Sequence, residues 1–199
     1  MYQKRDVLKE KIESCNINYI DNQLILQLYD VLCYVRDKEK GHGMTIVLGY
    51  DKENKRHRRT IAEMCDNAFF GTKEHITDEE IKDKMHEVRE IDGAILVDNE
   101  GNILMGGVYF LVNPIFALKK IGISREDPRS LPERFGFKTQ VGTRHISSIS
   151  ASYKMYNSFI FALSEETNLI RVFFNGKIFF SEIEEEMTDS SYPIIGLEE

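Results

Sequence analysis

Positive charge is in deficit in this sequence: 26 Lys and Arg stand against 33 Asp and Glu, for a formal net charge of −7. A broad electropositive face of the kind that binds nucleic acid regardless of sequence is therefore excluded, although a local basic pocket is not. Long apolar runs are also missing. The longest, Phe159 to Leu163, is far too short to cross a bilayer, and the opening Met-Tyr-Gln-Lys-Arg-Asp runs into charge without an apolar stretch. A soluble chain with no membrane partner is expected. Cysteine is scarce: Cys15, Cys33 and Cys65 are odd in number, far apart and set in helix-like segments. That pattern argues against disulfides or a zinc site and for buried thiols in a reducing cytoplasm. Proline is scarce and unevenly spread, with Pro114, Pro128 and Pro132, three of the four, between Asn113 and Gln140.

What is present suits one substantial core. At 199 residues, with 42% hydrophobic and 11% aromatic content, the chain has no room for two full domains. Leu8, Ile12, Cys15 and Tyr19 recur at helical spacing and predict a helical N-terminal appendage over residues 1–20. A second helix follows Asp21, carries Leu24, Leu28, Leu32 and Val35 on one stripe, and ends near Gly41 to Gly43. Met44 to Leu48 lacks alternation and reads as a strand buried on both faces. Ile61, Ala62, Met64, Cys65 and Ala68 read as another short helix. Thr77 with Glu80 is a capping-box pair that opens a helix carrying Ile81, Met85 and Val88.

Ile91 to Val97 and Ile103 to Val112 form a hairpin around the turn Asp98 to Asn102, with Gly106 and Gly107 inside the return strand. Adjacent strand glycines signal a bulge or a close approach to the backbone. From Asn113 to Gln140 no periodicity survives, so a long loop is expected: functional, a lid, or disordered. A helix opens at Gly142-Thr143-Arg144-His145 with Ile146, Ile149, Tyr153 and Tyr156 on its buried side. Three strands follow, Phe159 to Leu163, Leu169 to Phe174 and Ile178 to Phe180, the last two joined by the hairpin signal Asn175-Gly176. The acidic tail, residues 183–199, reads as solvated or frayed.

Three short constellations have chemical content. Gly142-Thr143-Arg144-His145 at a helix mouth offers free amides, a hydroxyl, a guanidinium and an imidazole, the makings of a triphosphate cradle; ordinary capping by Thr143 is the alternative. Asp92-Gly93-Ala94 at the start of a strand offers a carboxylate for a divalent metal or a ribose hydroxyl, beside small residues that let a nucleotide approach; a polar turn is the alternative. Ser164-Glu165-Glu166, where a strand ends, reaches toward a ligand at the sheet edge or is simply an exposed acidic turn. Gly136-Phe137-Lys138-Thr139 lacks the rest of a Walker loop, and His86 to Glu90 lacks the second histidine of a zinc-protease helix.

In order, Asp92-Gly93-Ala94, Gly142-Thr143-Arg144-His145 and Ser164-Glu165-Glu166-Thr167 resemble the motif set of the diadenylate cyclase domain family. The similarity extends over roughly Leu24 to Phe180. It implies an α/β fold, a central mixed β-sheet flanked by helices, in a nucleotide-binding domain over residues 21–182. It also implies a nucleotidyltransferase of second-messenger signalling in which two ATP-loaded subunits of a homodimer or higher homo-oligomer face each other. The 3′-hydroxyl of each ATP then attacks the α-phosphate of the other, giving cyclic di-AMP and two pyrophosphates. A divalent cation, Mg2+, Mn2+ or Co2+, is implied as cofactor. By the resemblance Asp92 binds metal and activates the ribose hydroxyl, with Glu166 as a second metal ligand. Gly93 and Ala94 line the sugar, and Gly142, Thr143, Arg144 and His145 hold the phosphates. Ser164 and Glu165 complete the pocket, and Gly107, Tyr109 and Phe110 flank the adenine.

The family pattern continues Arg-His-Arg, whereas Ile146 stands here, followed by Ser147 and Ser148 in place of alanines. Lys138 or Arg134 in the preceding loop are the candidates to restore the missing cation. The alternative to an active cyclase is a catalytically weak or inactive regulatory module that binds ATP or cyclic di-AMP. A third reading is a pure interaction module assembled through its N-terminal helix.

Overall fold

The computed structural model describes residues 2–15, 17, 19–63, 69, 71–124, 126–183 and 186. Its strands are β1 (Met44–Leu48), β2 (Ile61–Glu63), β3 (Ala94–Val97), β4 (Ile103–Phe110), β5 (Phe159–Leu163), β6 (Ile170–Phe174) and β7 (Lys177–Ser181). They form one seven-stranded sheet in the order β2-β4-β3-β1-β5-β6-β7. β1 runs parallel to β3 and antiparallel to β5, and the remaining pairs are antiparallel. β1 is therefore central, as its unbroken apolar run requires, and all its residues are buried.

Successive side chains leave a strand on opposite faces, and here they feed two separate hydrophobic clusters. Met44, Ile46 and Leu48 of β1, Ile95 and Val97 of β3, and Phe159, Phe161 and Leu163 of β5 join the first. Val47, Ala94, Leu96, Ile160 and Ala162 join the second. The helices are α1 (Tyr2–Ser14), α2 (Asn22–Lys38), α3 (Lys55–Arg58), α4 (Ile81–Glu87), α5 (Pro114–Lys120), α6 (Leu131–Arg134) and α7 (Thr143–Lys154). α1, α2 and α4 supply Leu8, Ile12, Leu28, Leu32, Ile81 and Met85 to the first cluster. α5 and α7 supply Leu118 and Ile149 to the second. The result is the α/β class expected from the sequence, a mixed sheet with helices on both faces. No helix among the described residues is long and apolar enough to cross a membrane.

The hairpin signals hold. Asn175 and Gly176 both take positive φ, 48° and 81°, as a two-residue hairpin turn demands, and the Asp98 carboxylate accepts the amides of Glu100 and Asn102 across the other turn. Asp21 caps α2 by accepting the Gln23 amide.

Several expectations are corrected. The helical spacing read through Tyr19 stops at Ser14, the end of α1; Tyr19 beyond it stacks on Phe174, and Leu8 and Ile12 are almost fully buried in the first cluster. The helix expected across Ile61 is instead the edge strand β2, because pairing with β4 overrides a weak local preference; Met64, Cys65 and Ala68 lie outside the described residues. The Thr77–Glu80 capping box does not form. Thr77 Oγ1 bonds His75 Nδ1 instead, and α4 starts at Ile81 without a side-chain cap.

The long loop contains two helices. Asn113 accepts the Phe116 amide with Pro114 in the first turn, and Ser130 with Glu133 forms a capping box around Pro132, so residues that read as loop punctuation are helix starts. Glu182 accepts from Tyr29, Arg36 and the Ile170 amide, and Glu186 is buried; residues 187–199 lie outside the described residues.

Candidate functional site

The strand parity that separates the two clusters also aims side chains. Thr45 lies two residues before Val47 in β1, Asp92 just before β3 and Ser164 just after β5, and all three line one cleft. α7 itself begins at that end of the sheet. Its N-cap is Gly142, with no side-chain cap, so its first-turn amides lack helical acceptors and the capping role considered for Thr143 is not used. Strand ends and helix mouth enclose a cleft of about 330 Å³.

Asp92 and Gly93 just before β3 and Ala94 in it line this cleft, with Tyr109 and Phe110 from β4. Gly142, Thr143, Arg144 and His145 line it from the start of α7, and Ser164, Glu165 and Glu166 from the turn after β5. Three segments distant in the chain thus meet. Gly107 is not among the lining residues. Its neighbourhood explains Gly93 instead: a Cβ on Gly93 would stand 2.8 Å from the Val108 amide nitrogen and 2.9 Å from the Gly107 carbonyl carbon, and Gly93 has φ of 97°. The close approach read from the paired glycines is in this respect strand against strand.

The Asp92 carboxylate is oriented at both oxygens. Oδ1 accepts the Gly93 amide at 2.9 Å and Oδ2 the Tyr109 hydroxyl at 2.5 Å. This hydrogen bond raises the Tyr109 phenol above its usual pKa, so the hydroxyl stays a donor. Across the cleft, Arg144 is one-third exposed and lies 3.7 Å from Glu165 Oε2, while Ser147, one turn further along α7, donates to the Arg144 carbonyl. Ser164 is buried, and its Oγ accepts the Thr167 amide, tying down the turn that presents Glu165 and Glu166.

His145 brings no positive charge to the cleft. Its ring is almost fully buried and its Nε2 accepts from Arg171 Nη1 at 3.1 Å. Burial, then the positive charge of Arg171 and of Arg144, pushes its pKa down to about 3, so the imidazole is neutral and its proton resides on Nδ1. Neither candidate for the missing cation comes to the cleft. Arg134 donates to the carbonyls of Arg129 and Asp127, Lys138 does not line the cleft, and Ile146 packs into the second cluster.

Thr45 and Ser147 line the cleft without having been picked out. The first was within reach of strand alternation from Val47, and the second of the three-residue helical spacing from Arg144. Arg171, in contact with His145, had no such signal. It reads as one charged residue in an apolar strand.

Asp92 and Glu166 line the cleft together, but no group of three or more His, Cys, Asp or Glu able to hold a metal occurs among the described residues. Asp92, Glu165 and Glu166 all line the cleft, and such carboxylates suit a cation such as Mg2+, which is commonly held by one or two carboxylates plus substrate phosphates.

No family model matches the chain. A diadenylate cyclase of Methanocaldococcus jannaschii is 27% identical to it over 114 residues, 57% of this chain and 30% of that protein. Among solved structures, a hypothetical membrane spanning protein from Bacillus cereus is 20% identical, with a TM-score of 0.50 over 82% of this chain and 64% of that one. DacA from Staphylococcus aureus, as a double mutant, is 20% identical with a TM-score of 0.48 over 83% and 89% of the two chains. The chain thus spans less than two thirds of both the Methanocaldococcus and the Bacillus proteins. The Bacillus structure is a likeness of fold; the Methanocaldococcus sequence is a likeness to a diadenylate cyclase.

Proposed function

We propose that the protein is a diadenylate cyclase, condensing two ATP into cyclic di-AMP and two pyrophosphates where two copies of the chain face each other. The observation that carries this reading is that Asp92, just before β3, and Arg144, in the first turn of α7, line one cleft. An anion-binding helix mouth and a carboxylate fixed at both oxygens then flank the same nucleotide.

In this reading the first-turn amides of α7, the Thr143 hydroxyl and the Arg144 guanidinium hold the triphosphate. Neutral His145 contributes a hydrogen-bond donor rather than charge. Asp92 polarises the ribose 3′-hydroxyl and receives its proton as the oxygen bonds to the α-phosphorus of the facing ATP. The bond between the α- and β-phosphates breaks and pyrophosphate leaves, and the second, symmetric transfer closes the ring. Asp92 and Glu166 would hold a divalent cation with the phosphates, which supplies charge neutralisation at the leaving group. Tyr109 and Phe110 offer aromatic surface to the base, and Ser164 and Glu165 close the phosphate end.

Purified protein incubated with ATP and Mn2+ is expected to yield cyclic di-AMP, with specific activity that falls on dilution because each turnover needs two subunits. Absence of product at every protein concentration would overturn the reading. Nucleotide binding without turnover would point instead to a regulatory module.

A further inference from the structure

Gly43, the residue before β1, has no place in the motifs described above, yet it lies against Arg144. A Cβ built on Gly43 falls 1.7 Å from Arg144 Nη1, 2.4 Å from Cζ and 3.0 Å from Nη2. The guanidinium therefore occupies the space that any other residue at position 43 would fill. Backbone conformation does not call for glycine there. Gly43 lies outside the left-handed φ region, unlike Gly41 two residues earlier, where φ is 86° and a Cβ would meet nothing within 4 Å. One glycine serves the turn and the other serves the arginine.

The remaining surroundings hold Arg144 only loosely. Its partner Glu165 is 3.7 Å away and well exposed, and Arg144 itself is one-third exposed. A long side chain with a single distant ion pair samples many rotamers in solution. What restricts it is steric: a notch at the mouth of the central strand, open because position 43 has no side chain, in which the guanidinium rests beside the first turn of α7.

We propose that Gly43 is a positioning residue for the nucleotide site, a side-chain-free notch that seats the Arg144 guanidinium for phosphate. The inference rests on the nucleotide reading of the cleft, but its geometric half can be measured without nucleotide. In Gly43→Ala the new methyl meets the far end of a flexible side chain, not backbone, so the fold is retained and Arg144 is displaced by more than about 1 Å. Misplacement on that scale can cost on the order of a hundredfold in a positioned reaction, and loss of a charge-assisted phosphate contact on the order of ten- to a hundredfold in affinity.

The test compares wild type, Gly43→Ala, Arg144→Ala and the double variant of the full chain by calorimetric titration with ATP and Mn2+. In parallel, the rate of phenylglyoxal modification at Arg144 is followed by mass spectrometry in wild type and Gly43→Ala. Gly43→Ala is expected to weaken ATP binding at least about tenfold with an unchanged melting temperature, to have no further effect once Arg144 is gone, and to speed Arg144 modification. ATP binding unchanged in Gly43→Ala, or losses that simply multiply in the double variant, would overturn the proposal. If wild type takes up no ATP, the functional reading fails, and the modification rate alone decides whether the notch seats Arg144: an unchanged rate overturns that too. Should Gly43→Ala melt early, the melting temperature of the double variant with Arg144→Ala decides the matter: recovery shows that the methyl and the guanidinium compete for one space, and an equally early melt overturns the proposal.

Discussion

The guanidinium of Arg171 and the carboxylate of Glu186 meet in a two-pronged ion pair, Nε to Oε2 at 2.7 Å and Nη2 to Oε1 at 2.8 Å, with both side chains sealed from solvent. Ser181 donates to the same carboxylate, while Arg171 also reaches His145 and Thr139. The residues after β7 are thereby connected to the first turn of α7. A buried charge is tolerable only while its partner remains, so Glu186→Ala should destabilise the fold by about 3 to 5 kcal/mol in urea unfolding. Replacing both partners, Arg171→Met with Glu186→Leu, should recover most of that loss. A single variant as stable as wild type would show that the pair does not hold the segment.

That pair marks the limit of what could be read in the sequence. Strand faces, the central placement of β1 and both hairpin turns follow from periodicity and turn chemistry, which are local, whereas the three constellations around the cleft are joined by the family resemblance. Arg171 and Glu186 are fifteen positions apart, and nothing local distinguishes Glu186 from the other glutamates near it. The same holds for the segment between Asn113 and Gln140, where prolines read as breakers because the helices they start are too short to show a period. It holds for Ile61 to Glu63 as well, whose strand state depends on the edge that β4 offers. His145 lines the cleft, but its charge state is set by burial and then by Arg171, a strand residue 26 positions away.

The buried His145 also predicts a pH dependence. Its pKa near 3 in the fold lies below the ordinary value of 6.5, so the unfolded chain binds the proton that the folded chain refuses. Stability is unaffected by this group above about pH 6.5 and falls as pH drops from there toward 3, by up to about 1.4 kcal/mol per unit. His145→Gln keeps an acceptor for Arg171 and removes the titration. Between pH 6 and pH 5, wild type should lose about 1 kcal/mol more than the variant in urea unfolding. Equal losses would mean that the imidazole is already protonated in the fold.

α1 can be tested as part of the core. Leu8 is fully buried against the first cluster, and truncating such a side chain removes both burial energy and packing, so Leu8→Ala should cost about 2 to 5 kcal/mol. Val7, half exposed next to it, should tolerate alanine within about 0.5 kcal/mol. If Leu8→Ala melts with wild type, the helix is dispensable to the domain, and deletion of residues 1–20 would then be harmless as well.

Asp92 is the sharpest test of the chemistry because it is exposed and contributes little to the core. Asp92→Asn preserves the size of the side chain and an oxygen able to accept from Tyr109 or the Gly93 amide, while removing the charge and the capacity to take a proton. Loss of a general base typically costs about 10²- to 10⁴-fold, so on the proposed cyclase reading kcat for cyclic di-AMP formation should fall at least a hundredfold at unchanged melting temperature. Tyr109→Phe removes only the hydroxyl that orients Oδ2, and its effect should therefore be smaller, a few-fold in kcat, and absent in the Asp92→Asn background. If Tyr109→Phe costs as much as Asp92→Asn, the phenol rather than the carboxylate meets the reacting hydroxyl. If Asp92→Asn turns over ATP like wild type, the proton leaves by another route and the role given to Asp92 is wrong.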